Sequence, residues 1–214
     1  MPAETLIERA VLYLGKQETL GSNDGPNIRR WKSEMGAGVA SAGPIPWCGI
    51  FVFNMLLERN GIDRRHLVAA LGFRPGSFYP ESCNSWADET QALALRGRPP
   101  ASGGPIPALA PVVAVDDPRP NDLFLLAVPA FGGGYLANRF HHVGIITSKI
   151  YTSVDVEGQT MFSTVEGNTV PGGVEGPASR EGDGVYRRTR TVAPGKLLFL
   201  RLPAALTGFQ EVLS

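Results

Sequence analysis

Pro46-Trp47-Cys48-Gly49-Ile50-Phe51-Val52-Phe53-Asn54-Met55-Leu56-Leu57 sets a cysteine at the head of a long apolar run. Cys48, Phe51, Val52, Met55, Leu56 and Arg59 recur at helical spacing, so the stretch reads as a helix packing one face inward. Asn60-Gly61 ends it, glycine being the residue that most readily closes a helix. The Gly/Pro-rich stretch from Gly36 to Pro46 delivers the chain to Cys48 as a loop. Cys48 therefore stands at a helix N-terminus, where unpaired N–H groups and a partial positive charge favour thiolate over thiol. Taken alone, a small apolar thiol in a core helix fits the same pattern.

A cysteine nucleophile needs an imidazole to carry its proton and a polar group to orient that imidazole. His141-His142-Val143-Gly144-Ile145-Ile146 and Val165-Glu166-Gly167-Asn168-Thr169 supply both, in the order Cys, His, carboxylate or amide. On a strand, His142, Gly144 and Ile146 share one face and His141, Val143 and Ile145 the other. Gly144 leaves room beside His142 for a close partner such as the Cys48 helix, which favours His142 as the base. Glu166 and Asn168 are two apart and face the same side of an extended segment, so either is placed to accept from the ring Nδ1–H. His66 lies in the polar stretch Arg64-Arg65-His66 and reads as surface.

Around these segments the chain divides into a helical half, about 1–96, and a strand half, about 122–203. A Pro/Gly/Ala-rich connector over about 97–121 joins them. Residues 5–16 read as an amphipathic helix opened by the capping box Thr5-x-x-Glu8. Further helices are expected around Ile28 and Trp31 and over Ser85–Leu95. Strands are expected over Leu123–Val128, His141–Ser148, Thr160–Glu166, Val185–Arg190 and Leu197–Leu202, with a long Gly-rich loop over Val170–Gly184. Helices first and antiparallel strands after indicate a single α+β domain over 1–214. Asn23, Asp24 and Asn27 sit in a turn-rich loop where substrate contact, a cation and plain turn chemistry remain equally good readings. Asp116-Asp117 and Asp122 read as turns.

The 20 basic and 20 acidic residues cancel, so no basic field draws the protein to nucleic acid or anionic lipid. No apolar stretch spans a bilayer, and membrane insertion is not expected. The first residues lack a basic segment followed by an apolar one, so no secretory signal is read. Two cysteines, Cys48 and Cys83, are no disulfide framework, and no CxxC, HExxH or His-x-His pattern calls for a metal. No cofactor is expected.

Taken together these segments resemble the CHAP family, the cysteine- and histidine-dependent amidohydrolase/peptidase domains of cell-wall enzymes, relatives of NlpC-type and papain-like peptidases. The resemblance runs through Gly21-Ser22-Asn23-Asp24-Gly25-Pro26-Asn27-Ile28-Arg29-Arg30-Trp31, Pro46-Trp47-Cys48-Gly49-Ile50-Phe51-Val52, Pro120-Asn121-Asp122-Leu123-Phe124, His142-Val143-Gly144-Ile145-Ile146 and Val165-Glu166-Gly167-Asn168, and ends in the strands from Arg187 to Arg201. It implies a papain-like core with the nucleophile's helix packed on an antiparallel sheet. It also implies hydrolysis of a peptidoglycan amide, as an N-acetylmuramoyl-L-alanine amidase or a stem or cross-bridge endopeptidase. Cys48 would be the nucleophile, His142 the general base and acid, Glu166 the orienting group and Asn168 its assistant. Asn121 stands where the family usually has Gly. The segment from Ala127 to Phe140 is longer than the family's usual connection before the histidine. Asn23, Asp24 and Trp47, with Phe131, Tyr135 and Arg139 on that longer segment, are the expected substrate-contacting residues. The expected setting is synthesis in the cytoplasm and action on the wall after lysis or injection, with a cognate immunity protein as partner in the injected case. The competing readings are a papain-like deamidase or transamidase acting on protein glutamine, and a catalytically silent wall-binding module.

Overall fold

The structure is a computed structural model. It describes residues 4–19, 23–41, 43, 45–96, 112–131, 133–154, 158–170, 182–193 and 195–208. Most of the expected connector and most of the expected Val170–Gly184 loop lie outside the described residues. The architecture is α+β, with helices packed on a curled antiparallel half-barrel sheet. The helices are α1 (Leu6–Val11), α2 (Pro26–Glu34), α3 (Ala37–Ala40), α4 (Cys48–Asn60), α5 (Arg64–Leu71), α6 (Cys83–Arg96) and α7 (Ala204–Thr207). The strands are β1 (Val113–Val115), β2 (Leu123–Pro129), β3 (Tyr135–Ile146), β4 (Tyr151–Thr152), β5 (Thr160–Thr169), β6 (Gly184–Thr191) and β7 (Leu197–Arg201). Their order is β1-β7-β2-β3-β5-β4, with β6 paired to β5. Among the described residues no helix is long and apolar enough to cross a membrane.

Local chemistry accounts for the element ends. The capping box forms: Glu8 N–H donates to Thr5 Oγ1 at 3.2 Å and Thr5 N–H to Glu8 Oε2 at 2.6 Å. The helix stops at Val11, five residues short of the expected end, because the chain is claimed by a sheet edge. Gly15 turns at φ +75°. Gly15 N–H then donates to Val185 O at 2.9 Å and Glu18 N–H to Asp183 O at 2.7 Å. Asn121, also in the left-handed region at φ +74°, keeps the turn that glycine would make. It adds a bond glycine lacks, its Oδ1 accepting from Ile7 N–H at 3.0 Å. Asp122 is a turn residue as expected; it accepts from Arg119 N–H at 2.9 Å and pairs with Arg201 at 3.0 Å.

α4 is the centre of the molecule. It was expected to bury one face, but every residue from Cys48 to Leu57 is buried. A helix apolar all round belongs inside, and this one has α1, α2, α5, α7 and the sheet around it. Gly61 closes it at φ +60°.

The sheet's two faces carry two cores. Odd positions Leu123, Leu125, Val143, Ile145 and Val165 join Trp47, Phe51, Met55 and Trp86 in the larger cluster under the helices. Even positions Phe124, Leu126, Ile146 and Phe162 pack with Phe199 on the opposite face. Ring pairs Phe124–Phe162 at 5.6 Å and Phe162–Phe199 at 5.5 Å hold that second cluster.

Two glycines admit α4 to its seat. A Cβ on Gly167 would lie 2.7 Å from Phe51 Cβ and 2.8 Å from a Trp47 ring carbon. One on Gly49 would lie 2.0 Å from the Pro80 carbonyl oxygen. Gly49→Ala is therefore expected to cost about 3 kcal/mol or more, since backbone rather than a side-chain tip must move. Gly38→Ala, within α3 and with nothing within 4 Å, should be neutral or gain about 0.5 kcal/mol. Urea denaturation of the two variants checks the contrast.

Candidate active site

Cys48 is the first residue of α4, and the cap is Trp47, whose side chain makes no capping bond. The first-turn N–H groups of α4 are thus left beside the sulfur. Trp47 is fixed from behind: its indole Nε1 donates to Glu18 Oε1 at 3.2 Å and its ring lies 5.9 Å from that of Trp31. Glu18 also accepts the Asn23 N–H, and Lys32 Nζ donates to the Asn23 carbonyl at 3.0 Å. This buried polar knot anchors the residue that begins the helix.

His142 and Glu166 come from β3 and β5. These strands pair at Ile145↔Val165 and Ile146↔Thr164. Toward the site each strand then bulges. Leu126 faces His142 but Ala127 faces Phe140, which makes His141 the extra residue of β3. The β5 register shifts between Glu166 and Thr169, with Asn168 at φ +55°. Bulges re-aim side chains and end pairing. In the opening, His142 Nε2 and Glu166 Oε2 meet at 2.7 Å, and the ring lies close enough to Cys48 for each to shift the other's titration. With Nε2 on Glu166, Nδ1 is the nitrogen left for the sulfur. The acid, expected on Nδ1–H, thus meets Nε2 instead.

Glu166 is wholly buried. Arg190 clamps it with two nitrogens, Nε to Oε1 at 2.8 Å and Nη2 to Oε2, and Thr164 Oγ1 donates to Oε1 at 2.6 Å. Burial is the largest influence on this carboxyl and would raise it. The charge and hydrogen bonds of Arg190, then those of His142, reverse that and hold it well below the usual carboxylate range. For His142 too burial is largest and opposes the charge. Hydrogen bonds with Cys48 and Glu166 and their negative charges raise it to about 9. Cys48 is brought well below an ordinary thiol, first by a hydrogen bond from Cys83, against burial, then by His142 and the Val143 N–H. The arrangement favours a thiolate–imidazolium pair at neutral pH.

Other expected positions fall differently. Asn168 is buried, but the bulge turns it off the regular alternation at φ +55°, and the carboxylate that meets the ring is that of Glu166. Gly144 does not make room for the Cys48 helix. A Cβ there would meet Phe124 at 2.6 Å and Glu166 Cγ at 2.8 Å, so it admits the acid instead. Trp47 is 1% exposed, which leaves it a support rather than a substrate contact. Asp24 pairs with Arg29 at 2.9 Å on the surface. Asn23 is buried, and its Oδ1 has no hydrogen-bond partner among the described residues. The stretch before the histidine is a hairpin, not a loop: β3 begins at Tyr135, which pairs with Pro129. At about 3.3 Å per residue, seven residues separate Tyr135 from His142 by about 23 Å along the strand. Phe131 and Tyr135 therefore stand exposed toward the far end, and Arg139 is the nearest of the three. His66 is on the surface, its Nδ1 2.9 Å from Asp63.

Sequence reasoning missed Arg190 and Thr164; it reads Cys83 as a structural residue at a helix start, with nothing to favour a pairing with Cys48, whereas the two sulfurs lie 3.7 Å apart. Thr164 and Glu166 alternate on β5 opposite Arg188 and Tyr186 of β6. Arginines at 188 and 190 on one face of a buried strand are the signal that an acid lies opposite.

The signs fix the pH dependence. His142 is raised, so its contribution to stability is complete below about 6.5 and is lost as pH rises through about 9. Glu166 is depressed, so its contribution is present above about 4.5 and is lost on acidification below that. The ion pair accordingly disappears at the alkaline end, and any activity that depends on it should fall above about pH 9. Glu166→Gln removes the negative charge beside the ring and should move that alkaline limb to lower pH, while Asn168→Ala should leave it in place. A pH–rate series on folded protein checks both; an unmoved limb in Glu166→Gln with a moved one in Asn168→Ala would transfer the orienting role to Asn168. Compared with known protein families, with curated proteins and with solved structures, the chain matches none.

Proposed function

We propose that the protein is a cysteine amidase or peptidase with a papain-like core, cleaving an amide bond of peptidoglycan by acyl transfer. The observation that carries the chemistry is the buried relay in which Arg190 fixes Glu166, Glu166 holds His142 Nε2 at 2.7 Å, and the ring and the Cys48 sulfur at the start of α4 shift each other toward the charged forms. Peptidoglycan as substrate rests on the resemblance to the CHAP family.

In this reading the Cys48 thiolate attacks the carbonyl carbon of the scissile amide. The negative charge that develops on the carbonyl oxygen is met by N–H groups at the start of α4. His142, protonated, donates from Nδ1 to the leaving amine, and the thioester forms as the C–N bond breaks. Neutral His142 then takes a proton from water as it attacks the thioester, returning Cys48 as thiolate and His142 as imidazolium. Glu166 stays ionised throughout, which keeps the ring orientation and stabilises its charge.

Wild type should release muropeptides from purified peptidoglycan, and Cys48→Ala should lose about 10⁴-fold or more in rate with the fold intact. Mass spectrometry of the products names the bond from the new termini. A Glu166→Gln variant should lose less than that. No release from several wall chemotypes, together with ammonia release from glutamine-bearing proteins, would replace the wall substrate with protein glutamine.

A further inference from the structure

Two helices of this protein begin at a cysteine, α4 at Cys48 and α6 at Cys83. Their sulfurs lie 3.7 Å apart and are both buried. The neighbourhood is tightly fixed. Trp86 Nε1 donates to the Pro80 carbonyl at 3.1 Å, and that same oxygen abuts Gly49. Asn84 Oδ1 accepts the Phe140 N–H at 2.7 Å, tying the start of α6 to the histidine strand. Cys83 thus belongs to the site's frame, although the acyl-transfer steps make no covalent use of it. From 3.7 Å the sulfurs need to close by about 1.7 Å to reach a bonded separation of about 2.05 Å.

We propose that Cys83 is the resolving thiol for oxidation of Cys48, so that a hydroperoxide converts the pair into a reversible Cys48–Cys83 disulfide that switches the site off. Silencing of activity rests on the reading of Cys48 as the nucleophile; formation of the disulfide does not. The enclosure of both sulfurs selects a small oxidant, and hydrogen peroxide is the probe. Its O–O bond breaks as the Cys48 thiolate attacks one oxygen, which gives a sulfenic acid and hydroxide. The Cys83 thiolate then attacks the Cys48 sulfur, the S–O bond breaks, and the departing hydroxide takes up the proton that Cys83 gave, leaving as water. Two thiols are oxidised by two electrons and one peroxide is reduced. A dithiol reverses the step by exchange through a mixed disulfide and leaves as its own cyclic disulfide. The competing fate of a sulfenic acid without a nearby thiol is sulfinic acid, which a dithiol does not reverse.

The test is treatment of the full-length protein with one to a few equivalents of hydrogen peroxide, followed by alkylation, peptide mapping and wall digestion before and after dithiothreitol. The expected result for wild type is loss of two hydrogens, a bridged Cys48–Cys83 peptide, at least tenfold loss of activity, and recovery with dithiothreitol. Cys83→Ser, compared with its own untreated activity, should gain oxygens at Cys48 and not recover. Peptide mapping of wild type decides the matter even if that variant does not fold. Oxygens gained at Cys48 while Cys83 remains alkylatable would overturn the inference. A bridged peptide in a protein that never digests the wall would remove the proposed substrate but keep the switch. Digestion without any bridged peptide would remove the switch alone.

Discussion

The interaction on which this site depends is the clamp of Arg190 on Glu166. A carboxylate with no exposure to water is costly unless it is paired and its lone pairs are filled. Arg190 supplies the charge and Thr164 the remaining donor, and the anion so fixed holds the imidazole of His142. From there the charges alternate inward, guanidinium, carboxylate, imidazolium, thiolate, and sum to zero. That alternation allows four ionisable groups to lie together in a nearly dry interior. Removing one leaves its neighbours uncompensated, so their contributions are not separable.

The scaffold serves this chain of charges by departing from regularity at chosen points. β3 and β5 pair beside Ile145 and Ile146, with Thr147 N–H donating to Ser163 O at 2.8 Å just beyond, and both bulge as they approach the site. The opening lets groups from the far face of the sheet meet a helix packed on the near face. Gly144 yields space to Glu166, Gly167 to Phe51 and Trp47, and Gly49 to the Pro80 carbonyl. Each is a close approach of backbone to a neighbour, and together they seat α4 and Glu166 against the strands that carry the site. The Glu18–Trp47 bond and the Asn84–Phe140 bond hold the two sides from behind.

Much of this was legible in the residues. The helix behind Cys48, its end at Gly61, the strand around His142 and Val143, and the α+β class follow from periodicity and turn chemistry. Glu166 as a candidate partner follows from its place in the strand. The preference for His142 over His141 rests on Gly144 making room for the Cys48 helix, a reason that fails, since Gly144 admits Glu166 and His142 reaches the site from the far face through the bulge. What was not legible are features made by two segments at once. A bulge at His141 or at Gly167-Asn168 is defined only against a partner strand, so Glu166 and Asn168 could not be separated by spacing. The Cys48–Cys83 approach depends on how two helix starts pack across Pro80, which no local pattern reports. The early end of α1 is of the same kind, since a sheet edge takes residues that helical spacing would have kept.

The central claim is that His142 carries a proton between two anions. It is tested most directly by nitrogen NMR of the His142 ring at neutral pH, in wild type and in Cys48→Ala. The account predicts an imidazolium in wild type that titrates near pH 9 and a clear lowering of that value when the sulfur is removed. A neutral ring at pH 7, titrating like an ordinary histidine and indifferent to Cys48, would contradict it.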